Sequence, residues 1–386
     1  MAVGFPVKDD YATGDVLTAA NMNDFAGTLN TVPTTIGVYA AAKNKIINGD
    51  AAIAQRGTSI ASVTTNNYLV DRFELNLTTM GTWTVSQESD APAGFAKSLK
   101  ALVTTADASP AASDRARIMY KNEGNAVQSF SYGNASAKTV TISFWVKSNV
   151  TGTYVLELFN IASGTSRHIA STYSVSASAT WEKKSITFTG DTATAIVADN
   201  AERLSLIWYL GAGSDFTSGT LATSWANNVS ANRAVGQTNL VGAINNYFQI
   251  TGVQMEIGSV ATPFQTATGT LQGELAACQR YYWRQTPTTA GGAYGTGQSF
   301  STTGAGAWIN LPVQMRTLAA SVDTLDLQFL DYIASAAYAV SAVVLGDGRT
   351  SNLLHITFTT ATMTSGRFGI LRNSSTSGYL GVSAEL

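Results

Sequence analysis

Hydrophobic residues recur at every second position through most of the chain. Residues 139–147 place Val140, Ile142, Phe144 and Val146 on one face and Thr141, Ser143, Trp145 and Lys147 on the other, the pattern of a strand buried on one side. Leu204, Leu206, Trp208 and Leu210 repeat it, as do Ile186 with Phe188, and Val253, Met255 and Ile257. Gly-, Asn- and Ser-rich clusters at 211–214 and 226–236 punctuate the series. About eight to ten such strands across residues 45–266 predict two sheets packed face to face, a jelly-roll β-sandwich. A second set of short apolar runs fills residues 286–386, with turn signals at Gly346-Asp-Gly348 and 374–378. Roughly six to eight strands in about a hundred residues predict a smaller C-terminal β-sandwich. No fixed-period repeat is visible, which argues against a propeller or a long β-helix.

Two stretches change the period. Within residues 1–44, Thr18 can cap a short helix whose Met22, Phe25 and Leu29 share one face. So short a helix is marginal alone, so its stripe needs a partner. Pro33 and residues 37–42 then read as a tether, which predicts a helical N-terminal attachment segment. Residues 270–284 predict a second helix, with Leu271, Leu275, Cys278 and Tyr282 at steps of four, three and four. That is the narrow seam of a coiled coil, so residues 267–285 are predicted to connect the two β regions and to pair with other copies of the chain.

Composition narrows the class. Charged residues are 12% of the 386, about half the usual share, while Ser and Thr supply roughly a fifth. Exposed helices favour Glu, Lys and Arg, whereas β surfaces tolerate Thr, Val and Tyr, so the chain reads as all-β. Twenty-three basic against 25 acidic residues leave a net charge of −2, which excludes an electrostatic footprint for nucleic acid or an anionic membrane. The longest uncharged apolar segment, 332–346, is too short to span a bilayer, so no membrane insertion is expected. Cys278 stands alone, so neither an intrachain disulfide nor a Cys-based zinc site is expected. No basic run followed by an apolar stretch opens the chain, so synthesis without secretion is expected.

A catalytic kit is missing. His168 lies in a turn-like stretch and His355 inside a strand, too few histidines for a His-based metal site. No Gly-x-Ser-x-Gly elbow is present. Gly211-Ala-Gly213 and Gly295-Thr-Gly297 begin like a dinucleotide fingerprint, but Phe216 and Phe300 stand where the third glycine belongs. Asp71 and Glu74 are the densest carboxylate pair beside an aromatic, and a pair of that kind could hydrolyse a glycan; they read more simply as a turn entering a strand. No cofactor is expected. Aromatics remain, because sugar rings stack on Trp and Tyr. The candidate contacts are Tyr68, Tyr132 and Trp225 in the first β region and Tyr294, Trp308 and Tyr379 in the second.

The segment Ile250-Thr-Gly-Val-Gln-Met-Glu-Ile-Gly-Ser-Val-Ala-Thr-Pro-Phe264, leading to Gly273-Glu-Leu-Ala-Ala-Cys-Gln-Arg-Tyr-Tyr-Trp283, resembles bacteriophage tail fibre and virion structural proteins. Lys45-Ile-Ile-Asn-Gly-Asp50 with Ala54-Gln-Arg-Gly-Thr58 looks like that family's opening, residues 68–73 like its next strand, and residues 139–147 like its Thr-Val-x-x-Ser-Phe-Trp strand. Asp15-Val-Leu-Thr-Ala-Ala-Asn-Met-Asn23 resembles N-terminal segments of phage tail proteins. The likeness covers roughly residues 10–285; beyond it only the ending and Leu311-Pro-Val-Gln-Met-Arg316 match.

The resemblance implies a carbohydrate-binding-module-like jelly roll, trimeric, in a tail appendage made in the host cytoplasm, and it supplies no catalytic residues. Some such modules hold a structural calcium between their first and last strands, where Asp50 and Glu256 stand here; the metal content stays open. The expected partners are other copies of the chain, tail proteins through residues 1–44, and a bacterial surface polysaccharide or receptor through the C-terminal tip. A purely structural tail adaptor or capsid decoration, and a glycan-degrading tailspike, are the alternative readings.

Overall fold

The period-two segments become strands where the sequence places them. The computed structural model describes residues 43–162 and 164–386; the predicted attachment face of Met22, Phe25 and Leu29 lies outside them. The first thirteen strands are β1 (Ser59–Val63), β2 (Asn67–Tyr68), β3 (Phe73–Thr78), β4 (Thr82–Glu88), β5 (Ser98–Thr105), β6 (Arg115–Glu123), β7 (Val140–Ser148), β8 (Gly152–Asn160), β9 (Arg167–Val175), β10 (Glu182–Phe188), β11 (Glu202–Ala212), β12 (Ala226–Asn227) and β13 (Tyr247–Ile257). They form a six-stranded sheet, β1-β4-β5-β13-β7-β10, and a seven-stranded sheet, β12-β9-β8-β11-β6-β3-β2. One core fills the space between the sheets. Val140, Ile142, Phe144 and Val146 on β7 and Leu204, Leu206, Trp208 and Leu210 on β11 are all fully buried in it.

The alternation fails at the end of β13, where Val253 and Met255 enter the core but Ile257 is exposed. A register shift between Thr251 and Gln254 interrupts the pairing with β7. Gly252 sits in the shift at φ +62°, where a Cβ would strike the Phe95 ring. A bulge that needs a left-handed backbone and no side chain explains the glycine. The Ile-Ile-Asn-Gly segment is a hydrogen-bonded plug. Buried Asn48 donates through Nδ2 to the carbonyls of Ile53 and Asp71 and accepts from the Ile53 amide.

The helix is shorter than predicted. It spans Leu271–Gln279, with the Thr270 hydroxyl accepting from the Gly273 amide as N-cap. Glu274 in its first turn is buried, and its carboxylate accepts from the amides of Asn48 and Thr268. Tyr282 is therefore not on the helix. It opens β14 (Tyr282–Gln285), because the run Tyr281-Tyr282-Trp283 packs aromatic rings on both faces of an extended chain and favours a strand. Cys278 and Tyr282 are buried in the chain's own interior, while Leu271 and Leu275 are exposed. The predicted four-residue seam thus reduces to its two leucines.

The remaining strands are β15 (Ala293–Ser299), β16 (Gly304–Asn310), β17 (Ser321–Leu325), β18 (Leu327–Asp331), β19 (Ala336–Leu345), β20 (Leu353–Thr360), β21 (Phe368–Asn373) and β22 (Tyr379–Ser383). Six of them close into a barrel, β15-β16-β20-β19-β18-β21, where the sequence predicted a smaller β-sandwich. Side chains alternate in both architectures, so periodicity does not separate them. Closure also leaves the barrel no free edge. Strands β14, β22 and β17 form a three-stranded sheet that carries the barrel back to the first sandwich.

Arginines bind the two β regions together. Fully buried Arg72 meets Glu385 at 2.7 Å and lies 3.4 Å over the Tyr281 ring. Arg56 lies 3.5 Å over Tyr282. Arg280 pairs with Glu123 at 2.7 Å, and Arg316 donates to the carbonyl of Asn200. Among the described residues no helix is long and apolar enough to cross a membrane.

Candidate functional site

The barrel's outer face carries a cleft that follows from strand register. Trp308 on β16 pairs with Thr296 on β15 and with His355 on β20. Two residues along, Gly306 pairs with Gln298 and Thr357, and Gln298 pairs with Phe368 on β21. Cross-strand partners share a face, so the first row presents rings and the second dips at a residue with no side chain. Phe300, in the turn after β15, closes the far side. The result is an open cleft of about 290 Å³ lined by Trp308, His355, Phe300, Phe368, Gln298 and Thr296 over a glycine floor.

Its chemistry is apolar and neutral. Phe300, Trp308 and Phe368 are 62%, 44% and 69% exposed, which is unusual for three large rings around one depression. Trp308 and His355 stack with centroids 4.0 Å apart and planes 9° from parallel. The His355 ring is fixed by Nδ1 against the Asp347 carbonyl. Gly346 makes room for it, since a Cβ there would lie 2.4 Å from Nδ1. No carboxylate and no Lys or Arg lines the cleft. Such a surface can stack a flat apolar ligand face on the rings, while Gln298, Thr296 and the imidazole offer hydrogen bonds at the rim.

Of the six candidate contacts, only Trp308 lies in this cleft. Tyr294 is buried in the barrel core, where burial pushes its phenol up. Tyr379 donates to Asp323 at 3.0 Å beneath the Arg284 guanidinium, 3.3 Å from its ring. Tyr132 and Trp225 pack edge to face at 5.6 Å, and the indole N–H donates to the Thr189 carbonyl at 2.6 Å. All four serve packing. Tyr68 donates to the Leu386 carbonyl at 3.0 Å. The residues missed were His355, Phe300, Phe368 and Gln298. Leu354, Ile356 and Phe358 all face inward, so the alternation already turned His355 outward.

The other candidate chemistry is structural. Asp71 accepts from the Gln55 amide at 3.0 Å, and burial pushes its carboxyl up to about 6. Glu74 pairs with Lys121 at 3.1 Å, so the two acids serve different partners. Burial raises Asp50 as well. It also opposes ionisation of Glu256, but hydrogen bonds from Thr262 and Gln254 and the Lys43 ammonium outweigh it and hold that carboxyl below the usual range. Glu256 is thus engaged by protein donors. Among the described residues no group of three or more His, Cys, Asp or Glu side chains could hold a metal. His168, fully buried, meets Glu157 at 2.9 Å. Glu157 also binds Arg233 through both oxygens at 2.8 Å and accepts from Tyr209 at 3.1 Å.

No family model and no curated protein matches the chain. Among solved structures it is similar to the enzymatically active domain of bacteriophage CBA120 tailspike protein 4, at 12% identity and a TM-score of 0.31, over 56% of this chain and 22% of that one. A family 4 carbohydrate-binding module aligns at 12% identity and a TM-score of 0.29, over 55% of this chain and 98% of the module. The family 11 carbohydrate-binding module of a Clostridium thermocellum cellulosomal cellulase aligns at 12% identity and a TM-score of 0.27, over 52% of this chain and 98% of the module.

Proposed function

We propose that this chain is a non-enzymatic glycan-binding protein of a bacteriophage tail appendage, with the barrel cleft as its contact with the host surface. The observation that carries the reading is the set of exposed rings, Phe300, Trp308 and Phe368, around a depression free of charge. Water-exposed rings at this density have no structural purpose inside one chain, and neutral sugar rings stack on such faces. The tail-protein phrase ending at Phe264 supports the virion assignment, with residues 1–44 joining the particle and synthesis in the host cytoplasm. In this reading the first sandwich is scaffold, and Leu271 and Leu275 pack against other copies in a homotrimer.

The test is binding of the full chain to host cells and to their purified surface polysaccharide. Wild type binds, and Trp308→Ala loses most of the binding while remaining folded. A reducing-sugar assay on the same polysaccharide checks the non-enzymatic part: release of sugar ends it in favour of a glycan-degrading tailspike. Light scattering at micromolar concentration checks the trimer, which a monomeric mass would contradict.

A further inference from the structure

Two polar side chains flank the floor of the barrel cleft from opposite sides. Gly306 pairs with Gln298 on β15. The His355 ring leans over the same glycine from β20, since a Cβ at Gly306 would lie 3.1 Å from its Nε2. The backbone fixes what each side chain offers. Nδ1 of His355 faces the Asp347 carbonyl. A carbonyl only accepts, so Nδ1 carries the proton, and in the neutral ring Nε2 is left as an acceptor. The Trp308 stack holds the plane of the ring. Gln298 is exposed and donates one N–H to the Gly366 carbonyl at 3.4 Å. Its second N–H and its Oε1 are left for a ligand.

The floor therefore offers a fixed acceptor on one side and an amide donor on the other, between the exposed rings of Phe300, Trp308 and Phe368. A secondary amide with a methyl group answers all three. Its N–H needs an acceptor, its carbonyl a donor, and its methyl an apolar wall. Competing groups answer fewer. A hydroxyl can donate to Nε2 but brings no apolar atoms to the rings. A carboxylate brings only lone pairs to Nε2, and no Lys or Arg lines the cleft to receive it. An ammonium brings nothing for the Gln298 N–H to meet.

We propose that the sugar unit taken by the barrel cleft is an acetamido sugar, whose N–H donates to His355 Nε2, whose carbonyl accepts from Gln298 and whose methyl lies against the exposed rings. This deepens the glycan-binding reading of the same cleft and rests on it.

The experiment is equilibrium titration of the full chain with N-acetylglucosamine and N-acetylgalactosamine, with glucose and galactose, and with glucosamine and galactosamine. At least one acetamido sugar binds about tenfold or more tightly than its parent hexose. His355→Phe keeps a ring against Trp308 but no acceptor, and it brings that ratio close to one. Gln298→Met removes the donor and lowers the ratio by about threefold or more. Gln298 is exposed, so its variant tests the site even if His355→Phe misfolds; thermal melts check both. A parent hexose or an amino sugar that binds as tightly as the acetamido sugar overturns the acetamido assignment alone and leaves the cleft a glycan site. An unchanged ratio in either folded variant overturns the roles of His355 and Gln298. Binding of none of these sugars by the wild type overturns the cleft reading and this inference with it.

Discussion

The first sandwich and the barrel draw on the same weakly charged, hydroxyl-rich composition and use it oppositely. In the sandwich, charged groups turn against the protein: Glu157 is wholly buried among Arg233, His168 and Tyr209, and Asp191 is buried against Arg167. Its loop aromatics Tyr132 and Trp225 pack on each other. In the barrel, rings turn to solvent at Phe300, Trp308 and Phe368, and again at Tyr332 beside the exposed aliphatic Ile333. Low charge is therefore not one property with one meaning. In one region it reflects charges consumed by internal pairing, and in the other an apolar surface exposed to solvent.

The largest effect that would sharpen this contrast is in the sandwich. Arg233→Met leaves the Glu157 carboxylate buried beside one imidazole and one phenol. The loss is about 3–5 kcal/mol of stability, because an unpaired buried charge is costly; denaturant unfolding measures it. A loss below about 1 kcal/mol would mean that the Glu157 network is not what fixes the segment after β11 to the sheet.

Asp71 gives a pH effect of the opposite sign from the usual acid. Its folded pKa of about 6 lies above the ordinary value of 3.8, so the folded state holds the proton that the unfolded chain has released. Stability is fully present below the ordinary value and falls as pH rises from about 4 to about 6, by roughly 2–3 kcal/mol. Asp71→Asn flattens that window, which melts at pH 4, 5, 6 and 7 would show. A wild-type midpoint that rises through the same range contradicts the burial argument.

A smaller effect tests whether the two regions act as one body. Glu385→Gln weakens the pair with buried Arg72 and removes about 1–3 kcal/mol. Calorimetry then resolves separate transitions for sandwich and barrel, where the wild type melts once. The smallest effect is in the cleft itself. Phe368→Ser changes stability by less than about 0.5 kcal/mol, since the ring is mostly solvated. An equilibrium unfolding curve that shifts more than that would place the ring in the core and erase the contrast.

Much of the fold was legible because strands announce themselves by alternation. Val140 to Val146 and Leu204 to Leu210 face inward as the sequence requires. The helix end at Gln279 was not legible: Leu271, Leu275, Cys278 and Tyr282 satisfy helical spacing, yet the aromatic run from Tyr281 to Trp283 prefers a strand paired with Tyr379–Ser383. Barrel closure depends on which distant strands meet, and period-two patterns carry no such information. The site was half legible. Trp308 was recognised by type, and His355 faces outward by simple counting. Phe300 and Phe368 join them only through the register of β15 with β16 and β21. Tyr294 misled because glycines surround it, which resembles a loop, whereas Ala293–Ser299 is a strand with Tyr294 on its inner face.

The most direct test of the account is equilibrium binding of the full chain to host surface polysaccharide, comparing wild type, Trp308→Ala and the sandwich-face variant Tyr132→Phe. The account predicts that Trp308→Ala weakens binding by about tenfold or more, with thermal stability within about 1 kcal/mol of wild type, and that Tyr132→Phe binds like wild type. Full binding by Trp308→Ala would contradict the claim that the barrel cleft is the contact surface.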